Sequence, residues 1–260
     1  MRSGRKNAIR LMPKVTTKTI RSTTNITMMT LSARATVQMT SLALVMPRFA
    51  PAFSTDSYGF RPGRNAHQAV QRVQSILKDG RRFAVDVDLS KFFDRVNHDL
   101  LMTHLGRKVR DKRLLGLIAR YLRAGIIDSQ LYLESREGVP QGGPLSPLLA
   151  NIMLDPLDKE LERRGHRFAR YADDFTIVVN SRRADDRVLA SISHFLEHRL
   201  KLTVNTTKSR VVRTNDSKFL GFTFKGTQIH WHPDALRKFK QRIRELTNRN
   251  WGVSMHYQLF

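Results

Sequence analysis

Phe168-Ala-Arg-Tyr-Ala-Asp-Asp-Phe-Thr-Ile-Val-Val-Asn180 reads as a hairpin: a short strand, a turn at Tyr171–Asp174, then an apolar strand over Phe175–Val179. Its tip carries two adjacent carboxylates, Asp173 and Asp174. Paired Asp residues are common in turns, where they hydrogen-bond their own backbone. Beside apolar strands the pair is more costly, because adjacent like charges next to a hydrophobic core repel unless a cation holds them. A second strand, Phe83-Ala-Val-Asp-Val-Asp-Leu89, alternates, with Val85 and Val87 facing one way and Asp86 and Asp88 the other. Phosphoryl transfer to a 3′-hydroxyl needs hard oxygen ligands for Mg2+. An acid at the end of one strand and an Asp-Asp pair at a hairpin tip supply such ligands if the two tips lie side by side.

Around these strands the chain has the texture of a packed domain from about Met46 onward. Ser57–Arg64 is rich in turn residues. Ala66–Leu77 has the period of an amphipathic helix, with Ala66, Ala69, Val70, Val73, Ile76 and Leu77 on one face. Further helices are expected over about Asp111–Ala124, Leu148–Arg163 and Arg187–Leu200, and short strands at Val211–Val212 and Phe219–Phe224. Pro233–Asn250 reads as a basic amphipathic helix with Leu236, Phe239, Ile243 and Leu246 on one face. Helices mixed with hairpins predict an α+β domain built on an antiparallel sheet.

The 260 residues hold 46 Lys+Arg against 22 Asp+Glu, a net charge of +24. Such a field favours a polyanionic partner, because every neutralised phosphate releases condensed counterions. Cysteine is absent, which excludes disulfides and thiolate metal sites. No stretch approaches the roughly 20 apolar residues that span a bilayer, and no apolar run follows the basic start as a secretory signal requires. Residues 1–55 carry nine basic side chains (Arg2, Arg5, Lys6, Arg10, Lys14, Lys18, Arg21, Arg34 and Arg48) and no acid. This composition fits a nucleic-acid-binding arm, an organellar transit peptide, or sequence foreign to the fold.

Tyr171-Ala172-Asp173-Asp174 resembles the catalytic signature of reverse transcriptases, and its surroundings resemble the group II intron-encoded reverse transcriptase/maturase family. Ser57-Tyr-Gly-Phe-Arg-Pro-Gly-Arg64 is similar to that family's early motif. Asp88-Leu-Ser-Lys-Phe-Phe-Asp94 is similar to its first catalytic motif, Gly138-Val-Pro-Gln-Gly-Gly-Pro-Leu-Ser-Pro147 to its template-side loop, and Phe219-Leu-Gly-Phe222 to its primer-grip turn. Each motif alone is weak; five in the family's order and spacing, covering about Met46 to Tyr257, exclude coincidence.

The resemblance implies an α+β palm, its antiparallel sheet carrying the acids on one face with helices behind. Partial fingers would precede it and the start of an α-helical thumb would follow. Asp88, Asp173 and Asp174 would be the metal triad for two Mg2+, with the Leu89 carbonyl completing a coordination sphere. Phe93 would be the steric gate, its flat ring excluding a 2′-hydroxyl by clash; it also reads as a core aromatic, in which case it shares the role expected of Phe92. Gln141, Gly142 and Gly143 would lie against the nascent base pair, since glycines permit close backbone approach and Gln141 both donates and accepts. Lys208, placed after Leu202-Thr-Val-Asn205, would protonate the pyrophosphate leaving group, or else is a solvated charge. Arg61 and Arg64 would meet phosphates, or else brace the turn. Phe219, Leu220 and Gly221 would grip the primer.

The resulting expectation is an RNA-directed DNA polymerase that acts on an RNA template and DNA primer with dNTPs, and with intron RNA as a further partner. Alternatives are a maturase-like RNA-binding protein that assists splicing and a degenerate fragment; a nucleotide cyclase would share the metal logic without the loop and primer-grip motifs. Three segments are expected: a poorly matching basic segment over 1–45, the catalytic core over 46–228, and the beginning of the thumb over 229–260. Residues 1–44 find no counterpart among the family's fingers, so the chain is expected to be a fragment with a foreign N-terminal stretch. A bacterial cytoplasm or an organelle is the expected location, and a membrane is not an expected partner.

Overall fold

A computed structural model describes residues 39–123, 126–128, 131–133, 137–140 and 142–247. The expectations for residues 1–38, for Gln141 and for the end of the last helix beyond residue 247 fall outside these.

The molecule is organised on a four-stranded sheet in the order β4-β5-β1-β6, every pair antiparallel. The strands are β1 (Phe83–Val87), β4 (Arg167–Tyr171), β5 (Asp174–Val179) and β6 (Arg210–Arg213). This is the α+β architecture expected from the motifs. The alternation read in β1 holds: Val85 and Val87 are buried in the main core together with Phe168, Phe175, Ile177 and Val179, so all six share one face. Against that face pack α5 (Ser146–Arg163) and α6 (Arg182–Arg199), supported by α3 (His98–Gly106) and α4 (Lys112–Arg123). The opposite face carries Ala169 and Val178, which form a second core with α2 (Ala66–Lys78) through Ala69, Val70, Val73, Ile76 and Leu77. Helices therefore cover both faces, not only the back of the sheet.

Local chemistry explains the element ends. Helix α2 opens on a reciprocal capping box, in which Asn65 Oδ1 accepts from the Gln68 amide and Gln68 Oε1 from the Asn65 amide. Asp111 caps α4 by accepting from the Arg113 and Leu114 amides. Helix α6 begins at Arg182, five residues before the Arg187 start read from periodicity.

Helix α1, described over residues 39–49, extends the packed domain upstream of Met46. Ser41, Val45 and Phe49 recur at every fourth position and are buried, and Val45 and Phe49 belong to the main core. Also unread in the sequence were α3, the small pair β2 (Ile126–Asp128) with β3 (Leu131–Leu133), and β8 (Gln228–Trp231), which pairs with β7 (Phe222–Lys225). The final helix α7 (Pro233–Leu246) buries none of its residues, and Leu236, Phe239 and Ile243 lie exposed. Among the described residues no helix is long and apolar enough to cross a membrane.

Candidate active site

Strand register brings the three acids to neighbouring ends. Val87 pairs with Phe175, so Asp88, one residue on, and Asp174, one residue back, stand at the same end of the β1–β5 ladder. Tyr171 pairs with Asp174 across the hairpin, and Ala172 and Asp173 form its two-residue turn. Ala172 takes the left-handed conformation, with φ at 57°. A non-glycine residue there needs outside support.

Gly59 and Arg170 provide it. A Cβ on Gly59 would lie 2.2 Å from the Ala172 nitrogen and 2.9 Å from the Tyr171 carbonyl carbon, so only glycine lets the Ser57–Arg64 segment pass beneath the turn. Arg170 reaches from β4 to donate to the Ala172 carbonyl at 2.8 Å. Tyr58 donates its amide to the Arg170 carbonyl at 2.8 Å, and the Arg170 amide donates to Asp56 O at 2.9 Å. The early motif thus underlies the catalytic-looking turn.

The acids feel one another. Burial, then the charge of Asp86, raise the Asp174 carboxyl to about 7; Asp173 and Asp88 add to the rise, and a hydrogen bond from the Leu220 amide opposes it. Asp174 as a residue keeps surface in solvent, but the protein crowded around its carboxyl desolvates it. Asp86 is itself raised, by burial above all, although Thr176 Oγ1 at 2.9 Å and Ser217 Oγ at 3.2 Å both donate to it. Leu220 belongs to the expected primer-grip turn, which is therefore tied directly to Asp174. In that turn Phe219 is fully buried and pairs with Phe222, while Leu220 and Gly221 both have positive φ.

Asp88 is held through its backbone by the turn at Asn205–Ser209. The Asn205 amide donates to the Asp88 carbonyl at 2.8 Å, and the Asp88 amide donates to Ser209 Oγ at 3.0 Å. The same turn carries Lys208, whose Nζ lies 3.9 Å from Asp88 Oδ2 at an exposed position. Leu89 is buried and bridges to Val204. Among the described residues no three acidic or histidine side chains form a cluster ready to hold an ion. The implied triad is brought to adjacent strand ends but is not closed into a ligand set. Asp88 lies beside Lys208. The donor set, carboxylates alone with one carboxyl pushed up to about 7, nevertheless suits a hard divalent cation.

Phe93 is partly buried and lies in a 3-10 turn over Phe92–Asp94, not on a strand, so strand alternation is not what separates it from Phe92. Phe92 is buried in the main core, and the two rings meet edge to face at 5.2 Å. The Gly138–Pro147 loop, expected on the template side, sits on this turn: the Val139 amide donates to the Phe93 carbonyl at 2.6 Å, and a Cβ on Gly138 would lie 2.8 Å from the Asp94 carbonyl oxygen. Gly142 is exposed and Gly143 half-buried, which leaves their part of the loop accessible.

The arginines of the early motif are bracing residues in this structure. Arg61 donates to the carbonyls of Ser57 at 2.8 Å and Ala50 at 3.2 Å, and also to that of Ser54. Arg64 donates to Thr55 O and lies 5.1 Å over the Tyr58 ring. Arg61 braces the segment's own carbonyls through both Nη atoms, and Arg64 does so through Nη1. Sequence reasoning missed Arg170, Asp158, Asn151 and Asp86. The signal for Arg170 was present: alternation puts it on the core face with Phe168, where a charge must find a partner.

A family model described as reverse transcriptase (RNA-dependent DNA polymerase) matches residues 12–224. The chain is 33% identical over 231 residues to protein YkfC of Escherichia coli (strain K12), covering 74% of this chain and 60% of that protein. It is 26% identical over 239 residues to the group II intron-encoded protein LtrA of Lactococcus lactis subsp. cremoris, covering 67% of this chain and 40% of that protein. A shorter match, 37% identical over 82 residues, reaches nuclear intron maturase 1, mitochondrial, of Arabidopsis thaliana, covering 32% of this chain and 11% of that protein. The chain thus spans less than two thirds of the length of these relatives. Among solved structures, telomerase from Candida albicans in complex with a telomeric RNA fragment aligns with a TM-score of 0.56 at 16% identity, over 84% of this chain and 42% of that one. At that identity the likeness concerns the fold alone.

Proposed function

Because the chain belongs to the reverse transcriptase (RNA-dependent DNA polymerase) family, we propose that it carries the catalytic core of a group II intron-type enzyme that extends a DNA primer on an RNA template from dNTPs. The observation that supports this reading is the register that sets Asp88 beside the Asp173-Asp174 tip. Asp88, Asp173 and Asp174, with the Leu89 carbonyl, would hold two Mg2+. The ions supply activation of the 3′-hydroxyl and neutralisation of the leaving pyrophosphate.

The protein's own groups do the rest. Lys208, on the turn that binds the Asp88 backbone, donates a proton to the departing pyrophosphate. The Phe93 ring sits under the incoming sugar and excludes a 2′-hydroxyl. Gly142 and Gly143, with Gln141, let the backbone approach the new base pair. The Phe219–Gly221 turn seats the primer end while its Leu220 amide steadies Asp174. Basic residues of α7 and elsewhere contact template phosphates.

Primer extension on an RNA template with Mg2+ and dNTPs, comparing the parent with Asp173→Ala plus Asp174→Ala, tests this. Extension lost in the double variant supports the polymerase. Salt-sensitive RNA binding with no extension by the parent favours instead the maturase-like RNA-binding reading, for which the net charge of +24 speaks independently.

A further inference from the structure

We propose that Arg170 is a positioning residue for the carboxylate turn, acting through the Ala172 carbonyl; the inference rests on the polymerase reading above. Arg170 and Asp158 are both fully buried, 0% exposed. A guanidinium has five N–H donors, and each of the five has an acceptor here. Nε and Nη2 grip Asp158 Oδ1 and Oδ2 at 2.7 and 2.6 Å. Nη2 also donates to Ser57 Oγ at 2.8 Å, and Nη1 donates to Asn151 Oδ1 at 2.9 Å and to the Ala172 carbonyl at 2.8 Å.

These partners come from three separate segments. Asn151 and Asp158 lie seven residues apart on α5, so they share a face. Ser57 opens the early motif, and Ala172 is the left-handed residue that aims Asp173 and Asp174. Asn151 closes the loop by donating from Nδ2 to the Gly59 carbonyl at 2.9 Å, directly beneath that turn. A buried ion pair is a poor device for stability alone, since apolar residues of similar volume commonly replace one at no loss. What an apolar pair cannot supply is a hydrogen bond to the Ala172 carbonyl. Arg170 thus acts behind the candidate ligands as outer residues do behind a metal's inner ligands.

The test uses the whole chain with Arg170→Met plus Asp158→Leu, which removes both charges together, and separately with Arg170→Lys, which keeps a cation on Asp158 but lacks the fork that reaches Ala172. Thermal melting, Mn2+ binding by electron paramagnetic resonance, and single-nucleotide extension are measured. The inference expects a retained cooperative melt with Mn2+ affinity and kcat each reduced by roughly 10–100-fold, and the dNTP KM changed much less. Folded variants with parental Mn2+ affinity and kcat overturn it. If the double variant does not fold, Arg170→Lys decides by the same readouts. A parent that neither binds Mn2+ nor extends a primer overturns the polymerase reading itself, and this inference with it.

Discussion

An added Cβ at Gly59 meets the Ala172 backbone at 2.2 Å, whereas one at Gly80 meets nothing within 4 Å. Gly59→Ala is therefore expected to cost about 1–3 kcal/mol through overpacking against backbone and to lower extension sharply. Gly80→Ala, at φ +88, is expected to cost about 1 kcal/mol from backbone strain and to leave extension unchanged. Urea unfolding of the two variants checks the contrast. His104 makes a second residue-scale prediction. Burial first, then the neighbouring Arg107 and Lys159, lower its pKa, with Asp155 opposing. A base lowered in the folded state is protonated more readily when unfolded, so its contribution is complete above about pH 6.5 and is lost as pH falls below that value. Parental stability is expected to fall between pH 7.5 and 5.5 more steeply than that of His104→Gln; parallel profiles would show that His104 contributes nothing.

At the scale of elements, the hairpin and β1 were legible because strand alternation and a clustered charge both survive in sequence. Helix α1 was not, since Thr, Ser and Met around it blur the contrast with its core-facing Val45 and Phe49. The roles of Arg61 and Arg64 were not legible either. A guanidinium that braces carbonyls and one that meets phosphate read identically in sequence; the bonds to the Ser54, Ser57 and Thr55 carbonyls add the bracing that the sequence left open. Phe92 is buried and Phe93 half-buried against the same core, and what separates them is a 3-10 turn in place of the expected strand alternation. That turn and the loop at Gly138–Val139 form one unit, so Phe93→Ala tests the sugar gate locally. The ratio of dNTP to NTP incorporation is expected to fall by roughly 10–200-fold, the range for a small steric difference in a pocket. An unchanged ratio assigns Phe93 to core packing.

For the whole molecule, the fold class followed from the mixture of helices and hairpins, while the charge supports the proposed polyanionic partner. The assembly of the site did not, because Gly59, Arg170, Asp158 and Asn151 lie far apart in sequence and meet only through α5 and β4. At this scale the net charge of +24 predicts that RNA affinity falls linearly with salt on logarithmic axes. Asp173→Ala plus Asp174→Ala is expected to leave that slope unchanged, which a filter-binding titration at several salt concentrations would establish. The most direct test of the central claim compares an acid within β1 with one just past its end, Asp86→Asn and Asp88→Asn, by single-nucleotide extension on an RNA template. Asp86 is hydrogen-bonded to Thr176 and Ser217 within the fold, while Asp88 stands at the strand end beside the hairpin tip. The account predicts that Asp88→Asn abolishes extension and that Asp86→Asn retains it. Extension surviving in Asp88→Asn, or lost equally in both, would contradict it.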